Sequence, residues 1–213
     1  MQVLVTAGPT REYIDTVRFI TNASSGRMGW AVADAALHAG HDVTLLCGDA
    51  VRPHAPDRTL PCEVVPFLSV ADLKAAVESR FDRCDALVMA AAPGDFHPQR
   101  ALIGKLRRRD GPITIRLLPT EDILAGLRDR KRPDQIIVAF AVEDGRPDEV
   151  EAKARDEMAC KGSDYVVVNT PAAMSAAQSD ACILSPAGIA LPWAKRPKEA
   201  LAANIIELIE ATQ

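Results

Sequence analysis

Four short runs of this chain are apolar almost without interruption: Val3-Leu4-Val5-Thr6-Ala7, Ala86-Leu87-Val88-Met89-Ala90, Gln135-Ile136-Ile137-Val138-Ala139-Phe140 and Tyr165-Val166-Val167-Val168. A strand with one wet face would carry a polar residue at every second position. These runs do not, so both of their faces must be covered, as in a parallel sheet between two layers of helix. Helical patterns alternate with the strands as that layout requires. Residues 28–39 are rich in small residues and stop at Gly40. The stretch 70–81 carries the apolar stripe Val70, Leu73, Val77 and Phe81. Further helices are expected over 121–130, 148–161 and 197–211. Residues 43–46 and 63–66 add strands, with a Pro-rich loop around 53–61 between them. Ile113-Thr114-Ile115-Arg116-Leu117 alternates like a strand, and 181–184 with 188–191 reads as a hairpin. The polar, basic stretch 93–110 reads as a flap. The expected fold is α/β: a doubly wound, mostly parallel, Rossmann-like sheet with helices on both faces, plus a flap and a small β-hairpin or dimerisation element. There is no internal repeat and no linker, so residues 1–213 read as a single domain.

Composition excludes several classes of function. The net charge is −4, which gives no drive toward nucleic acid or anionic membrane. No apolar run approaches the roughly 20 residues that span a bilayer. No signal peptide precedes the first strand, so a cytoplasmic location is expected. The five cysteines, Cys47, Cys62, Cys84, Cys160 and Cys182, form no CxxC pair and read as reduced thiols. The four histidines lack metal-ligand spacing, so no protein metal ligand is assigned.

Chemistry concentrates in two places. The first strand leads into Gly8-Pro9-Thr10, and an extended polar segment then reaches Asn22-Ala23-Ser24-Ser25-Gly26-Arg27-Met28-Gly29 at the start of a helix. Unpaired N–H groups and the helix dipole favour an anion there, and glycine permits close approach. Both glycines also suit simple helix–sheet packing. The turn lies 18 residues beyond Gly8 and lacks the full GxGxxG pattern, which weighs against a nicotinamide oxidoreductase. Arg11 and Arg18, with Ser24 and Ser25, could form a pocket for a phosphorylated substrate, because the guanidinium fork binds two oxygens. No GxSxG elbow surrounds either serine.

The second place is Ala90-Ala91-Ala92-Pro93-Gly94-Asp95-Phe96-His97-Pro98, followed by Gly104-Lys105-Leu106-Arg107-Arg108-Arg109. Small residues at a strand end leave room for a flat ring, and Asp95 could accept a hydrogen bond from a base or ribose. Lys105 lies in a loop able to fold over a triphosphate. The basic run also suits a solvated flap; without interleaved aromatics it does not suit nucleic acid.

These two motifs resemble those of the phosphopantothenoylcysteine synthetase family. The match runs through Thr6 to Glu12, Val17 to Gly29, and Ala91, Ala92, Asp95, Pro98 and Lys105. It continues in Asp122-Ile123-Leu124, Pro133-Asp134-Gln135, Val138-Ala139-Phe140-Ala141, Lys161, Asp164 and Asn169, across essentially the whole chain. Because the chain starts at the synthetase motif, it resembles the stand-alone form, with a phosphopantothenoylcysteine decarboxylase as a possible separate partner. The resemblance implies ligation of 4′-phosphopantothenate to L-cysteine through an acyl-nucleotidylate, with Mg²⁺ and CTP (ATP in some branches) and CTP favoured. It implies a homodimer in which a flap completes the neighbouring site. It assigns Asn22, Lys105 and Arg18 to catalysis, and Arg18, Asn22 and Ala23 to the substrate. Nucleotide binding falls to Gly8, Thr10, Ser24, Ser25, Gly26, Met28, Gly29, Ala91, Ala92, Asp95, Phe96, Asp122, Ile123, Phe140 and Lys161. This chain departs from the family pattern at Pro93-Gly94 (usually Val-Ala), at Phe96 (usually Tyr) and at Glu157, where many relatives carry a Lys reaching the triphosphate. Lys153 or Arg155 is the expected substitute. The rival readings are a nicotinamide oxidoreductase and a non-catalytic nucleotide-binding paralogue.

Overall fold

The structure is a computed structural model that describes residues 1–49, 60–174 and 176–212. Its elements follow in chain order. β1 (Gln2–Pro9) leads to the two-residue strands β2 (Glu12–Tyr13) and β3 (Phe19–Ile20), then α1 (Arg27–His38), β4 (Asp42–Gly48), β5 (Glu63–Phe67), α2 (Val70–Phe81) and β6 (Ala86–Ala92). The flap region holds β7 (Phe96–Pro98) and β8 (Leu117–Pro119). After it come α3 (Ile123–Leu127), β9 (Ile136–Val142), α4 (Pro147–Lys161), β10 (Tyr165–Asn169), β11 (Gln178–Ser185), β12 (Gly188–Pro197) and α5 (Lys198–Thr212).

Eight strands form one sheet in the order β12-β11-β10-β9-β6-β1-β4-β5. From β5 to β10 every neighbouring pair is parallel, and β11 and β12 join antiparallel at one edge. Numbered by their place along the chain, the six parallel strands run 3-2-1-4-5-6, the order of doubly wound nucleotide-binding sheets. The continuous apolar runs are explained by their alternation. Val3, Val5 and Ala7 of β1 face one core with α1 and α5, while Leu4 faces a second core with α2, α3 and α4. β6 and β9 divide in the same way: Val88 and Val138 face the first core, Leu87 and Ile137 the second.

Helix α2 has the bounds that its stripe predicts, and Val70, Leu73, Val77 and Phe81 are all buried. A capping box between Ser69 and Asp72 starts it. Other expectations need correction. Residues 113–117 do not form a strand: β8 begins only at Leu117 and pairs with β7. Ile113 is 52 % exposed, so its alternating apolar side chains have no sheet to bury against within one chain. The helix expected over 121–130 is shorter, five residues followed by a 3₁₀ turn at Arg128–Arg130. The expected hairpin is longer, because β11 and β12 extend the main sheet rather than standing apart. The Pro-rich loop around 53–61 lies mostly outside the described residues.

The five cysteines are free thiols, with Cys47, Cys84 and Cys182 buried. Burial is the main cause that raises the Cys182 thiol, to about 12. No helix among the described residues is long and apolar enough to cross a membrane.

Candidate functional site

The parallel pairing of β6 with β9 runs only from Ala86 opposite Ile136 to Val88 opposite Val138. Beyond that register, residues 90–92 and 140–142 line a cavity of about 460 Å³ at the carboxyl ends of the strands. β6 stays paired with β1 as far as Ala92 opposite Pro9, so the opening lies on the β9 side. Ligands of open α/β sheets bind at this edge.

The N-terminus of α1 closes one wall. Gly26 adopts a left-handed conformation, φ 72°, and no side chain caps the helix, so its first N–H groups remain available at the cavity. Gly29 has a different task. A Cβ there would meet the Thr6 carbonyl at 2.4 Å and Ala7 Cβ at 2.6 Å, so glycine is what lets α1 sit against β1. Asn22 crosses the mouth and donates from Nδ2 to the Pro93 carbonyl at 2.9 Å. The segment after β6 is also pinned from two other sides. Gly94 N–H donates to the Thr10 hydroxyl at 2.9 Å, and Thr120 Oγ1 donates to the Gly94 carbonyl at 2.7 Å. The Pro93-Gly94 departure therefore sits in a tightly held wall.

A second cavity of about 350 Å³ adjoins the first and shares Ala91, Pro93, Asp95, Phe140 and Lys161 with it. Phe96, Asp122 and Ile123 line it from the other side. Asp122 also caps α3, accepting from Ala125 N–H at 3.0 Å. Lys161 lies between two carboxylates, Glu157 at 2.9 Å and Asp122 at 3.6 Å. Burial pulls its ammonium down, but these two acids prevail and hold it above the ordinary lysine value.

The structure brings many of the residues singled out from the sequence to this cavity. Asn22, Ala23, Ser24, Gly26, Met28, Ala91, Ala92, Asp95, Phe140 and Lys161 all line the main cavity. Others serve as framework. Thr10 is buried and holds Gly94, and its carbonyl accepts from Thr21 Oγ1 at 2.6 Å. Gly8 turns the end of β1 with φ 94°. Ser25 Oγ donates to the Met174 carbonyl at 3.3 Å. Glu12 accepts from Val70 N–H at 2.8 Å and so holds the start of α2. The Ala91 N–H is taken by the Thr6 hydroxyl at 2.9 Å.

The proposed grouping of Arg11 and Arg18 with Ser24 and Ser25 does not form within one chain. Arg11 pairs with Asp49 at 3.2 Å and stacks on Phe19. Arg18 and Lys105 face a separate depression of about 400 Å³, with Arg107 and Arg108. Asp15, 1 % exposed, ties two of the depression's lining residues together, accepting from the N–H groups of Val17, Arg18 and Leu106 and from the Arg18 guanidinium. Burial alone would raise this carboxyl, yet those four donors hold it down to about 2. Of the expected substitutes for the missing Lys, Lys153 pairs at 3.6 Å with Glu143 of the cavity wall without lining the cavity itself, and Arg155 donates to the Ser185 carbonyl at 3.3 Å.

Arg27, Glu143, Ser179 and Lys198 also line the cavity, and site reasoning from sequence did not find them. Ser179 and Lys198 reach it only because β11 and β12 fold back antiparallel, which no local motif signals.

The fold, with an uncapped helix N-terminus at this crevice, defines an α/β protein of the doubly wound class. The model of the DNA/pantothenate metabolism flavoprotein C-terminal domain matches residues 1–212, and the chain belongs to that family. It is 41 % identical over 168 residues to the coenzyme A biosynthesis bifunctional protein CoaBC of Bacillus subtilis (strain 168), covering 78 % of this chain and 39 % of that protein. It is 38 % identical over 218 residues to CoaBC of Mycobacterium tuberculosis (strain ATCC 25618 / H37Rv), covering 98 % of this chain and 51 % of that protein. The crystal structure of the C-terminal domain of a CoaBC protein superposes with a TM-score of 0.78 at 30 % identity, covering 99 % of this chain and 94 % of that one. The chain thus spans about half the length of the curated relatives it matches.

Proposed function

We propose that this chain ligates 4′-phosphopantothenate to cysteine in coenzyme A biosynthesis through an acyl-nucleotidylate. The observation that carries the reading is Asn22. Its amide spans the mouth of the cavity beside the uncapped N-terminus of α1 and the small-residue end of β6. A carboxylate is a poor acyl donor until one of its oxygens becomes part of a good leaving group. In this reading it attacks the α-phosphorus of the nucleotide and pyrophosphate leaves. The cysteine amine then attacks the acyl carbon, and the nucleoside monophosphate departs. Positioning and charge neutralisation serve both steps better than a protein nucleophile would.

Asn22 holds the acyl intermediate and meets the oxyanion of the second step with its amide N–H. Asp95 and Phe140, shared by both cavities, suit the nucleoside. The acidic rim of Asp122 and Glu121 suits neutral base and ribose rather than phosphate. CTP is favoured over ATP on family resemblance alone. A Mg²⁺ ion would enter on the phosphates, with Asp95 or Glu143 of the cavity wall as a carboxylate ligand, and would supply charge neutralisation. Arg18 and Lys105 act in this reading across a homodimer, each chain lending its basic flap to the neighbouring cavity. A separate decarboxylase and a cytoplasmic setting complete the picture.

The test is pyrophosphate release by purified protein given Mg²⁺, 4′-phosphopantothenate and cysteine, with CTP and ATP in parallel. Release that requires both the acid and a nucleotide supports the ligase. Release of no pyrophosphate with either nucleotide, from protein that binds one of them, overturns it in favour of a binding role.

A further inference from the structure

Where the cavity meets α5, it is lined by polar groups that the fold leaves without adequate partners. Lys198 is 4 % exposed, and among the described residues its ammonium finds one hydrogen-bond acceptor, the Met174 carbonyl at 3.4 Å. The same carbonyl accepts from Ser25 Oγ at 3.3 Å, which ties Lys198 to the loop that enters α1. Ser179 is fully buried and Asn169 nearly so; Ser179 Oγ and Asn169 Oδ1 have no partner among the described residues. All three line the cavity, as does Arg27 in the first turn of α1.

A buried ammonium with one long hydrogen bond is expensive, and an unpaired buried hydroxyl adds to the cost. Burial, with the nearby charge of Arg27, pulls the Lys198 ammonium below its ordinary value, and Glu199 pulls the other way. Folding alone does not repay this arrangement. An anion in the cavity does: it would accept from Lys198, from Ser179 and from the free N–H groups of α1 together. Lys161, in contrast, already has Glu157 and Asp122 as counter-charges.

We infer that Lys198 and Ser179, together with the N-terminus of α1, form a phosphate-binding subsite at the α5 side of the cavity, separate from Lys161. This rests on the reading of the cavity as the ligase site. The phosphate could belong to the nucleotide triphosphate or to 4′-phosphopantothenate, and the recognition chemistry is the same.

The test is direct binding by calorimetry of inorganic pyrophosphate, CTP and 4′-phosphopantothenate to wild type, Lys198→Met and Ser179→Ala. Losing a charge-assisted hydrogen bond of this kind weakens binding about 10- to 100-fold for Lys198→Met, and less for Ser179→Ala. A loss confined to pyrophosphate and CTP assigns the subsite to the nucleotide, and a loss confined to 4′-phosphopantothenate assigns it to that substrate; either supports the subsite. Lys198→Met should melt at or above the wild-type temperature, because it removes a buried charge that lacks a counter-ion. Unchanged affinity for all three ligands in a folded Lys198→Met protein overturns the inference. The two readings fail separately. Wild type that makes no product but loses pyrophosphate binding on Lys198→Met keeps the subsite and sinks the ligase. Wild type that makes product, with Lys198→Met binding unchanged, does the reverse.

Discussion

Gly29→Ala isolates the link between packing and site. Its new Cβ would lie 2.4 Å from the Thr6 carbonyl, 2.6 Å from Ala7 Cβ and 2.8 Å from Ala7 Cα. All three belong to β1 in the centre of the sheet, so none can swing aside as a long side chain could. Ordinary contact begins near 3.4 Å, so α1 must retreat from β1 by about 1 Å. Overpacking of this kind costs about 1–3 kcal/mol, and the helix preference of alanine returns up to about 1 kcal/mol. The net loss of about 1–2 kcal/mol corresponds to a fall in Tm of about 2–8 °C for a chain of this size. The same retreat draws the first N–H groups of α1 away from the cavity, and a misplacement of about 1 Å costs about 10²-fold in kcat/KM. Gly126→Ala is the control. It lies in α3 with nothing within 4 Å of its Cβ, so it should be neutral or slightly stabilising. Thermal melts and steady-state kinetics on both variants decide the matter. If Gly29→Ala melts with Gly126→Ala and keeps its turnover, the packing argument is wrong.

Three other substitutions test separate parts of the account. Asn22→Ala should lower kcat about 10²- to 10³-fold while Tm stays near wild type, as for loss of one oxyanion donor; unchanged turnover would remove Asn22 from the chemistry. Asp15 has a folded-state pKa of about 2, below the ordinary 3.8, so its contribution is full above about pH 4 and is lost as pH falls toward 2. Acid titration of wild type against Asp15→Asn, followed by hydrogen exchange at Leu106 N–H, should show wild type losing protection in that window, whereas the variant is unprotected throughout. Glu157→Lys should free Lys161 from one of its two acids and add a positive charge, tightening CTP several-fold with a steeper salt dependence; weaker CTP binding would mean that Lys161 is already optimally placed.

Much of the fold could be read from the chain because its signals are local. The runs at 86–90 and 165–168 are apolar at successive positions because each strand has helices on both faces, and the structure buries them so. Residues 70–81 announce their helix through one stripe and one cap. Residues 113–117 mislead because alternation marks a strand only where a neighbouring strand and a core exist to receive it, and Ile113 has neither. The site divides in the same way. The motif around residues 22–29 lies in one continuous segment and reaches the cavity as a unit, and Asp95, in the bend after β6, and Phe140, in β9, arrive at the same edge. Thr10 and Glu12 belong to the same motif, yet they hold Gly94 and α2 rather than the cavity. Lys198 and Ser179 went unread because their polarity looks like ordinary surface. Their burial depends on β11 and β12 turning back beside β10, more than 140 residues from α1 in the chain.

The central claim is that activation passes through an acyl-nucleotidylate, and labelled oxygen tests it most directly. 4′-Phosphopantothenate bearing oxygen-18 in its carboxylate would be turned over with cysteine, Mg²⁺ and CTP or ATP, and the released nucleotide analysed by mass. The carboxylate oxygen that attacks the α-phosphorus should leave with it, giving one label in each nucleoside monophosphate formed. Label in inorganic phosphate, or unlabelled monophosphate beside authentic product, would contradict the account.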